Sequence, residues 1–288
     1  MDLTCTRLTP ALGATVALPP GPLAVTDELG DRLHAALMEH LVLVLPAAGL
    51  TPGEMVALGE TLGELGARHH SYVTHPDSED VVVLTWGGDQ KPDAAEWHAD
   101  MTYRAEPPFA SILQAVDVPR VGGDTLWASM YAVHDALDPG LRSDLEQLAA
   151  VHDMGAFRTP AYLDGGAEGI TDAFVRAGTA VHPMIAHHPV TGRPYLNVSE
   201  SFTRFVVGLS APESARLLTY LFDLVNRPDF HVRLKWEPGT VAIWDNRGTQ
   251  HYAVADYLPH RREMHRVAVV TDRRTPAPRP AEGLTAPV

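Results

Sequence analysis

The segment at 96–103, EWHADMTY, places a histidine and an aspartate two residues apart. In an extended strand, residues i and i+2 point to the same face, so His98 and Asp100 could bind one metal ion together. A third ligand must come from another segment, and His251, which follows VAIW at 241–244, is the best candidate. A pair of solvated polar side chains on a surface strand is the alternative for His98 and Asp100.

Two histidines and one carboxylate on one face of a metal are typical of non-haem Fe(II) oxygenases, in which three coordination positions stay open. Zinc prefers a closed tetrahedron or a single open position, so these ligand types favour iron. A zinc hydrolase would also need a general base beside its metal-bound water. The sequence contains no HExxH motif that would supply one.

Short apolar runs separated by turns predict the elements that must position these residues. Alternation and β-branched content indicate strands, and apolar spacing with helix-start signals indicates helices. The pattern, without regular βαβ alternation, predicts a mainly β single domain, a sandwich or barrel with helices on one side. We predict strands at 41–45, 81–86, 109–116, 230–236, 241–244 and 265–270, and helices at 27–40, 51–63 and 211–226.

Composition excludes several classes of protein. A formal net charge of −14 over 288 residues argues against a nucleic-acid partner, because such proteins usually present a basic face. No apolar run is long enough to span a membrane, and no secretory signal is evident. One cysteine fits a reducing cytoplasm. We expect residues from about 7 to 272 to form the folded core and the proline-rich residues 273–288 to be flexible.

The stretches WHADMTYRAEPPFASILQAVDVPRVGGDTLW (97–127) and WDNRGTQHYAVADYLPHRREMHRVAVVTD (244–272) resemble the taurine dioxygenase (TauD/TfdA) family. The resemblance runs from about residue 7 to 272. It implies an oxygenase that uses Fe(II), 2-oxoglutarate and O2, with iron held by His98, Asp100 and His251. It also implies a double-stranded β-helix, the cupin-like jelly roll, and a homo-oligomer.

The same resemblance implies two residues for 2-oxoglutarate. Thr125, in GGDTLW, matches a threonine that hydrogen-bonds a carboxylate of the co-substrate, and Arg262 matches the arginine that pairs with its far carboxylate. Arginine suits this role because its planar fork of donors fits a carboxylate and stays charged. The alternatives are an ordinary strand threonine, a solvated arginine, and a one-residue slip that exchanges Arg262 with Arg261.

For the substrate, the resemblance implies Arg266 as the anchor of an anionic group. In a strand, positions 262 and 266 share a face, so both arginines can enter one pocket. Pairing with a carboxylate of the protein is the alternative for Arg266. The resemblance places His69, or equally His70, with Tyr72 and Phe202 in the same pocket, although a core position is the default for a phenylalanine.

Two departures from the family pattern bear on the substrate. Ala94 stands where taurine enzymes carry an asparagine for the substrate amine, and Met154 stands where a second aromatic is expected. A site without that polar contact does not select for an amine. We therefore expect hydroxylation of an aliphatic C–H in a sulfonate, sulfate ester or carboxylate with a less polar body, with C–S, C–O or C–N cleavage in some cases. Because Asp100 is present, oxygenation is favoured over halogenation.

Two further readings of the chain stay open. The same iron centre could act on an amino-acid-derived or other biosynthetic intermediate. The scaffold could also serve a non-catalytic binding protein that retains the metal site.

Overall fold

The structure is a computed structural model, and six parts of the chain are described in it. They are residues 3–18, 21, 23–66, 72–90 with 92, 95–154 and 178–275.

Five helices lie in the described residues: α1 (Asp27–His40), α2 (Pro52–Leu62), α3 (Met130–Asp135), α4 (Pro139–Leu145) and α5 (Ala211–Val225). The three predicted helices are confirmed, with ends shifted by at most one residue. The helix-start signal of α2 is a capping box, in which Thr51 and Glu54 each bond the other's backbone N–H. Such reciprocal caps satisfy N–H groups that would otherwise lack a partner, which fixes where the helix begins.

Sixteen strands lie in the same residues. They are β1 (Thr4–Arg7), β2 (Ala14–Ala17), β3 (Val42–Leu45), β4 (Val73–His75), β5 (Ser78–Trp86), β6 (Ala110–Asp117), β7 (Thr125–Ser129), β8 (Ala149–His152), β9 (Ala180–Pro183), β10 (Ile185–His187), β11 (Pro194–Leu196), β12 (Thr203–Val206), β13 (His231–Leu234), β14 (Val241–Asp245), β15 (Thr249–Ala253) and β16 (Arg262–Val269). All six predicted strands are present. The last begins at Arg262 rather than at 265, and the one predicted from 230 is preceded by a 3-10 turn at Pro228–Phe230.

The strands form one large sheet and three small ones. The large sheet has the order β1-β2-β3-β14-β6-β16-β5-β4, and the small sheets are β13-β7-β15, β12-β8-β9 and β10-β11. Helices α1 and α2 cover one face of the large sheet through an apolar cluster. On the other face, a second cluster joins it to β7 and β13, where Trp127 packs 5.7 Å from Trp244. The predicted mainly β architecture with flanking helices is confirmed.

Residues 273–275 differ from the flexible tail that we predicted to begin at 273. Arg273 donates to Asp27 at 2.8 Å, and Arg274 pairs with Asp31 and donates to the Thr61 carbonyl at 2.9 Å. These contacts attach the chain to α1 and α2, and the rest of the predicted tail, 276–288, lies outside the described residues. None of the described helices is long and apolar enough to cross a membrane.

Candidate metal centre

Three potential metal ligands from two separate segments meet in the interior. One ligand atom from each of His98, Asp100 and His251 lies within 4.8 Å of the others. Asp100 Oδ1 is 3.8 Å from His98 Nε2 and 3.9 Å from His251 Nε2. All three residues are buried, so a solvated surface pair is the wrong description of His98 and Asp100.

The two segments pair through their main chains at the histidines. His98 N donates to the His251 carbonyl at 3.1 Å, and His251 N donates to the His98 carbonyl at 2.7 Å. Beyond His98 the extended pairing stops, because Asp100 begins a turn in which Met101 has a φ of 56°. The expectation that strand alternation aligns His98 with Asp100 is therefore wrong, and a turn brings the carboxylate to the two imidazoles.

Hydrogen bonds around the cluster direct its ligand atoms inward. His98 Nδ1 lies 2.8 Å from the Glu96 carbonyl, which can only accept, so Nδ1 carries the proton and Nε2 presents its lone pair. Ser111 Oγ donates to Asp100 Oδ2 at 2.9 Å and leaves Oδ1 toward the histidines. Partners of this kind fix the orientation of metal ligands in proteins.

Burial and charge set the protonation states that a metal needs. Burial lowers the pKa of His98, and burial together with His98 lowers the pKa of His251 to about 3. Burial alone would raise the pKa of Asp100, but Arg266, His251 and His98 together hold it below its ordinary value. Neutral imidazoles and an ionised carboxylate are the forms that bind a divalent cation. The donor set therefore fits Fe(II).

Thr125 and Arg262 lie together at the starts of β7 and β16. Arg262 Nη2 is 3.4 Å from Thr125 Oγ1, Arg262 Nε donates to the Gly123 carbonyl at 3.1 Å, and Trp236 Nε1 donates to Thr125 Oγ1 at 2.9 Å. Arg262 is 3 % exposed, and burial lowers its pKa to about 10. Within the described residues no carboxylate forms an ion pair with Arg262. A buried guanidinium without an ion-pair partner costs stability unless a bound ligand supplies the anion.

Arg261 occupies a different environment from Arg262. It is exposed and pairs with Asp117 at 3.1 Å and with Glu263. Neighbouring residues of a strand point to opposite faces, so Arg261 lies outside the pocket. The possible one-residue slip is excluded, and Arg262 is the inward arginine.

Two glycines form the turn that leads into Thr125. Gly122 and Gly123 have φ values of +81° and +73°, a region that L-residues with side chains rarely adopt. A Cβ on Gly122 would lie 2.6 Å from Asp256 Oδ1, and the same oxygen accepts from Gly123 N at 2.8 Å. The turn therefore needs glycine to approach Asp256 and deliver Thr125 to the pocket.

Arg266 lies on the same face of β16 as Arg262 and reaches the metal cluster. Its Nη1 is 3.4 Å from Asp100 Oδ1 and 3.5 Å from Asp100 Oδ2, and its buried Nε has no hydrogen-bond partner among the described residues. The alternative that Arg266 pairs with a carboxylate of the protein is thus observed, and that carboxylate belongs to Asp100. Its unused donor leaves capacity for a second anion.

An apolar wall, defined as Met101, Tyr103, Met154 and Phe202, lies beside the cluster. The Phe202 ring stands edge-on to His98 at 6.1 Å and to Tyr103 at 5.4 Å. Phe202 is therefore both buried and in contact with the metal-binding region. Met154 belongs to the same wall, at the position where the family pattern led us to expect an aromatic residue.

The other predicted pocket residues are less central or lie elsewhere in the chain. Tyr72 is partly buried and packs edge-on against Trp86 at 6.4 Å, and Trp86 pairs with Arg262 in the sheet. His69 and His70 lie outside the described residues, as does Ala94. The proposed contact of either histidine with substrate stays a prediction.

Three residues of this region were missed by sequence reasoning: Ser111, Trp236 and Asn246. Ser111 is a polar residue inside the apolar strand FASILQAV, and this exception was the available signal. Trp236 lies in the predicted strand 230–236, but nothing in its residue type indicated a bond to Thr125. Asn246 bonds the backbone of Asp100 across 146 positions of the chain, which no local pattern reveals.

A mainly β fold that brings two histidines and a carboxylate together beside a buried and a partly buried arginine defines a non-haem iron oxygenase. The chain belongs to the taurine catabolism dioxygenase TauD, TfdA family, whose model matches residues 4–268. It is therefore an Fe(II)- and 2-oxoglutarate-dependent dioxygenase that uses O2, and its fold is the double-stranded β-helix. The family resemblance drawn from the sequence is confirmed.

Relatives of known structure or activity agree with this assignment. An alkylsulfatase of Acinetobacter baylyi is 32 % identical, over 96 % of this chain and 87 % of the relative. An α-ketoglutarate-dependent sulfate ester dioxygenase of Pseudomonas putida is 34 % identical, over 83 % and 80 %. The crystal structure of a taurine dioxygenase from Burkholderia xenovorans superposes with a TM-score of 0.80 at 30 % identity and covers 94 % of this chain and 90 % of that one. α-Ketoglutarate and 2-oxoglutarate are the same compound.

Proposed function

We propose that this dioxygenase hydroxylates an aliphatic C–H of a small organic anion and that sulfate esters or alkyl sulfonates are its substrates. The observation that carries the proposal is a pair of arginines, the buried Arg262 and the partly buried Arg266, on one face of β16 beside the cluster. Two cations in one pocket suit two anions, the co-substrate and the substrate. The sequence thus provides for an anionic substrate in addition to 2-oxoglutarate.

Each residue of the cluster has a separate task in this proposal. His98, Asp100 and His251 hold Fe(II), which when bound activates O2 and couples the oxidation of 2-oxoglutarate to hydroxylation. Glu96 and Ser111 keep the ligand atoms of His98 and Asp100 turned inward. The protein's contribution is the position of the reactants and the placement of charge.

The arginines divide the two anions between them. Arg262 and Thr125 bind the far carboxylate of 2-oxoglutarate, because Arg262 is buried and no carboxylate among the described residues forms an ion pair with it. Arg266 binds the anionic end of the substrate through its unused donors and orients it relative to the iron. A guanidinium can offer two parallel N–H donors to a sulfate, sulfonate or carboxylate.

The body of the substrate is proposed to be apolar. Met101, Met154 and Phe202 offer an uncharged hydrocarbon surface, and Phe202 lies beside His98. The sulfate ester and alkyl sulfate relatives favour a sulfate-bearing carbon as the site of hydroxylation. Hydroxylation there gives a hydroxylated sulfate ester, which loses sulfate and a proton to leave an aldehyde. The balance is one O2, one 2-oxoglutarate and one ester to one each of succinate, CO2, sulfate, aldehyde and a proton.

The first experiment is an anaerobic titration of the protein with Fe(II) and 2-oxoglutarate, monitored by visible absorption spectroscopy. Chelation should give a weak metal-to-ligand charge-transfer band, and addition of substrate should shift it. Taurine, medium-chain alkyl sulfonates, alkyl sulfates and aryloxy carboxylates are then compared for succinate formation with O2. The proposal expects alkyl sulfates or sulfonates to exceed taurine and, for sulfates, equal yields of sulfate and succinate.

The outcomes separate the candidate functions. Turnover with amino-acid derivatives but with none of these anions would favour a biosynthetic substrate and overturn the substrate class. Formation of the band without turnover on any compound would favour a binding protein. A preference for taurine would contradict the proposal that the body of the substrate is apolar. The cytoplasmic location, the homo-oligomer and the absence of a nucleic-acid partner stay predictions.

A further inference from the structure

Asn246 ties the turn before His251 to the turn that carries Asp100. Its Oδ1 accepts from Asp100 N at 2.6 Å, and its Nδ2 donates to the Asp100 carbonyl at 3.0 Å and to the Pro108 carbonyl at 3.1 Å. The residue is 2 % exposed, so these bonds form without competition from bulk water. One side chain therefore satisfies both backbone groups of Asp100.

The need for such a partner follows from the backbone. His98 and His251 pair by two main-chain hydrogen bonds, but the pairing ends before Asp100. In a continuous ladder a neighbouring strand would bond the N–H and carbonyl of Asp100, and buried backbone groups left without partners are costly. Asn246 replaces the missing strand at this position.

The main chain of the same turn is held independently of the Asn246 side chain. Asn246 N donates to the Phe109 carbonyl at 2.8 Å. On the opposite side Asp245 accepts from Arg247 and contacts His188 Nε2 at 2.9 Å. Removal of the Asn246 amide thus releases Asp100 while the turn retains these other contacts.

We propose that Asn246 is a positioning residue that sets the place of Asp100 relative to the two histidines and thereby the affinity and geometry of the metal centre. The inference rests on the proposed function in taking His98, Asp100 and His251 as the ligands. Asn246 lies five residues before His251, so its amide links both ligand-bearing segments. It is not placed in contact with the metal, 2-oxoglutarate or substrate.

Gln114 provides a matched control within the same chain. Its amide makes the same reciprocal pair with one residue, accepting from Leu50 N at 2.6 Å and donating to the Leu50 carbonyl at 2.9 Å. It is also buried. Because Gln114 lies on β6 three positions after Ser111, its side chain points away from the metal cluster. Loss of either amide removes comparable hydrogen bonds, but only those of Asn246 hold a proposed metal ligand, Asp100.

The experiment measures the binding of Co(II), used in place of Fe(II), to the full chain without 2-oxoglutarate. Affinity comes from titration, coordination geometry from the visible Co(II) absorption, and folding from circular dichroism and the Tm of the metal-free protein. The variants are Asn246→Ala, Asn246→Asp and Gln114→Leu. Asn246→Asp keeps the acceptor for Asp100 N but loses both donors.

We expect Asn246→Ala to bind Co(II) about 10- to 100-fold more weakly, the loss typical of outer partners of metal ligands, with an altered visible spectrum. Asn246→Asp should also weaken binding and change the spectrum. Gln114→Leu should lower the Tm but leave affinity and spectrum as in the wild type. A loss confined to the Asn246 variants cannot arise from general destabilisation.

Three results overturn the proposal or its basis. Affinities within about twofold of wild type with an unchanged spectrum in both Asn246 variants would refute the positioning role. Unfolding of both Asn246 variants while Gln114→Leu stays folded would show that the amide serves the fold itself, and would also refute it. Failure of the wild type to bind Co(II) would instead refute the metal centre and with it the proposed function.

Discussion

Arg266 Nη1 lies 3.4 Å from Asp100 Oδ1, the same oxygen that lies within 3.9 Å of the Nε2 atoms of His98 and His251. One carboxylate oxygen thus lies near both Arg266, the proposed substrate arginine, and the candidate metal position. A divalent cation bound by Asp100 would neutralise its negative charge and so weaken its attraction for Arg266. The metal and the substrate anion should therefore be coupled through Asp100.

The first prediction concerns this coupling. At one fixed concentration of 2-oxoglutarate, an alkyl sulfate should bind about tenfold more tightly to the protein loaded with Co(II) than to the metal-free protein, since a hydrogen bond involving a charged group contributes about 1.5–3 kcal/mol. By linkage the alkyl sulfate should raise Co(II) affinity by the same factor. Calorimetric titration in both orders measures this. Arg266→Ala should abolish the coupling, and coupling that survives in this variant would exclude Arg266 as its carrier.

The second prediction separates Arg262 from its neighbour. Arg262→Ala should raise the Kd for 2-oxoglutarate by about 10- to 150-fold, because it removes about 1.5–3 kcal/mol of charge-assisted hydrogen bonding. Arg261→Ala removes the same charge from an exposed position and should leave this Kd within twofold. The charge-transfer band of the anaerobic Fe(II) complex reports binding of the co-substrate. Equal effects of the two substitutions would contradict the assignment of Arg262.

The third prediction concerns Asp100 itself. Asp100→Ala should reduce Fe(II)-dependent succinate formation by more than about 100-fold, because loss of a ligand should exceed the 10- to 100-fold loss typical of an outer partner. The variant should fold but unfold at a lower temperature, since Arg266 and Ser111 lose their carboxylate. Ser111→Ala should produce the smaller, 10- to 100-fold loss in metal affinity. Full activity of Asp100→Ala would remove Asp100 from the metal centre.

Much of the fold could be predicted from local pattern. The helix caps at Thr51 and Ser210 and the apolar runs of β3, β5, β6 and β14 act over a few residues, so sequence alone indicates them. Ten short strands among the described residues were not predicted, namely β1, β2, β4, β7, β8 to β12 and β15. In β8 and β9 His152 and His182 point inward while Val151 and Val181 point outward, which reverses the usual polarity of a strand.

The proposed metal ligands and the two arginines of the candidate site could be predicted from the sequence. The residues that hold them in place by hydrogen bonds could not. The ligand residues and the arginines carry unusual chemistry at fixed spacing. Asn246 and Trp236 act through single bonds to Asp100 and Thr125, which are far away in the sequence. The turn at Asp100 was also unpredictable, because EWHADMTY contains no glycine or proline to mark the positive φ of Met101.

The last prediction concerns stability in acid and rests on His152, which is fully buried. Burial, followed by His182 and Arg204, lowers the pKa of His152 to about 3, and its ring nitrogens contact Thr102 Oγ1 at 3.0 Å and Thr203 Oγ1 at 3.3 Å. In the unfolded chain the pKa returns to about 6.5. Between these two values the unfolded state binds the additional proton, so the free energy of unfolding should fall as the pH falls from about 6.5 toward 3.

His152→Asn, measured without metal, should reduce this pH dependence by up to about 1.4 kcal/mol per pH unit, the contribution of one proton. His251 carries the same shift and His98 a shift in the same direction, so some dependence should remain in the variant. His187→Asn, at an exposed position of β10, is the control and should leave the slope unchanged. Chemical denaturation at pH 7, 6, 5 and 4 measures the slopes. A slope in His152→Asn equal to that of the wild type would mean that His152 is already protonated in the folded protein, in contradiction to its complete burial.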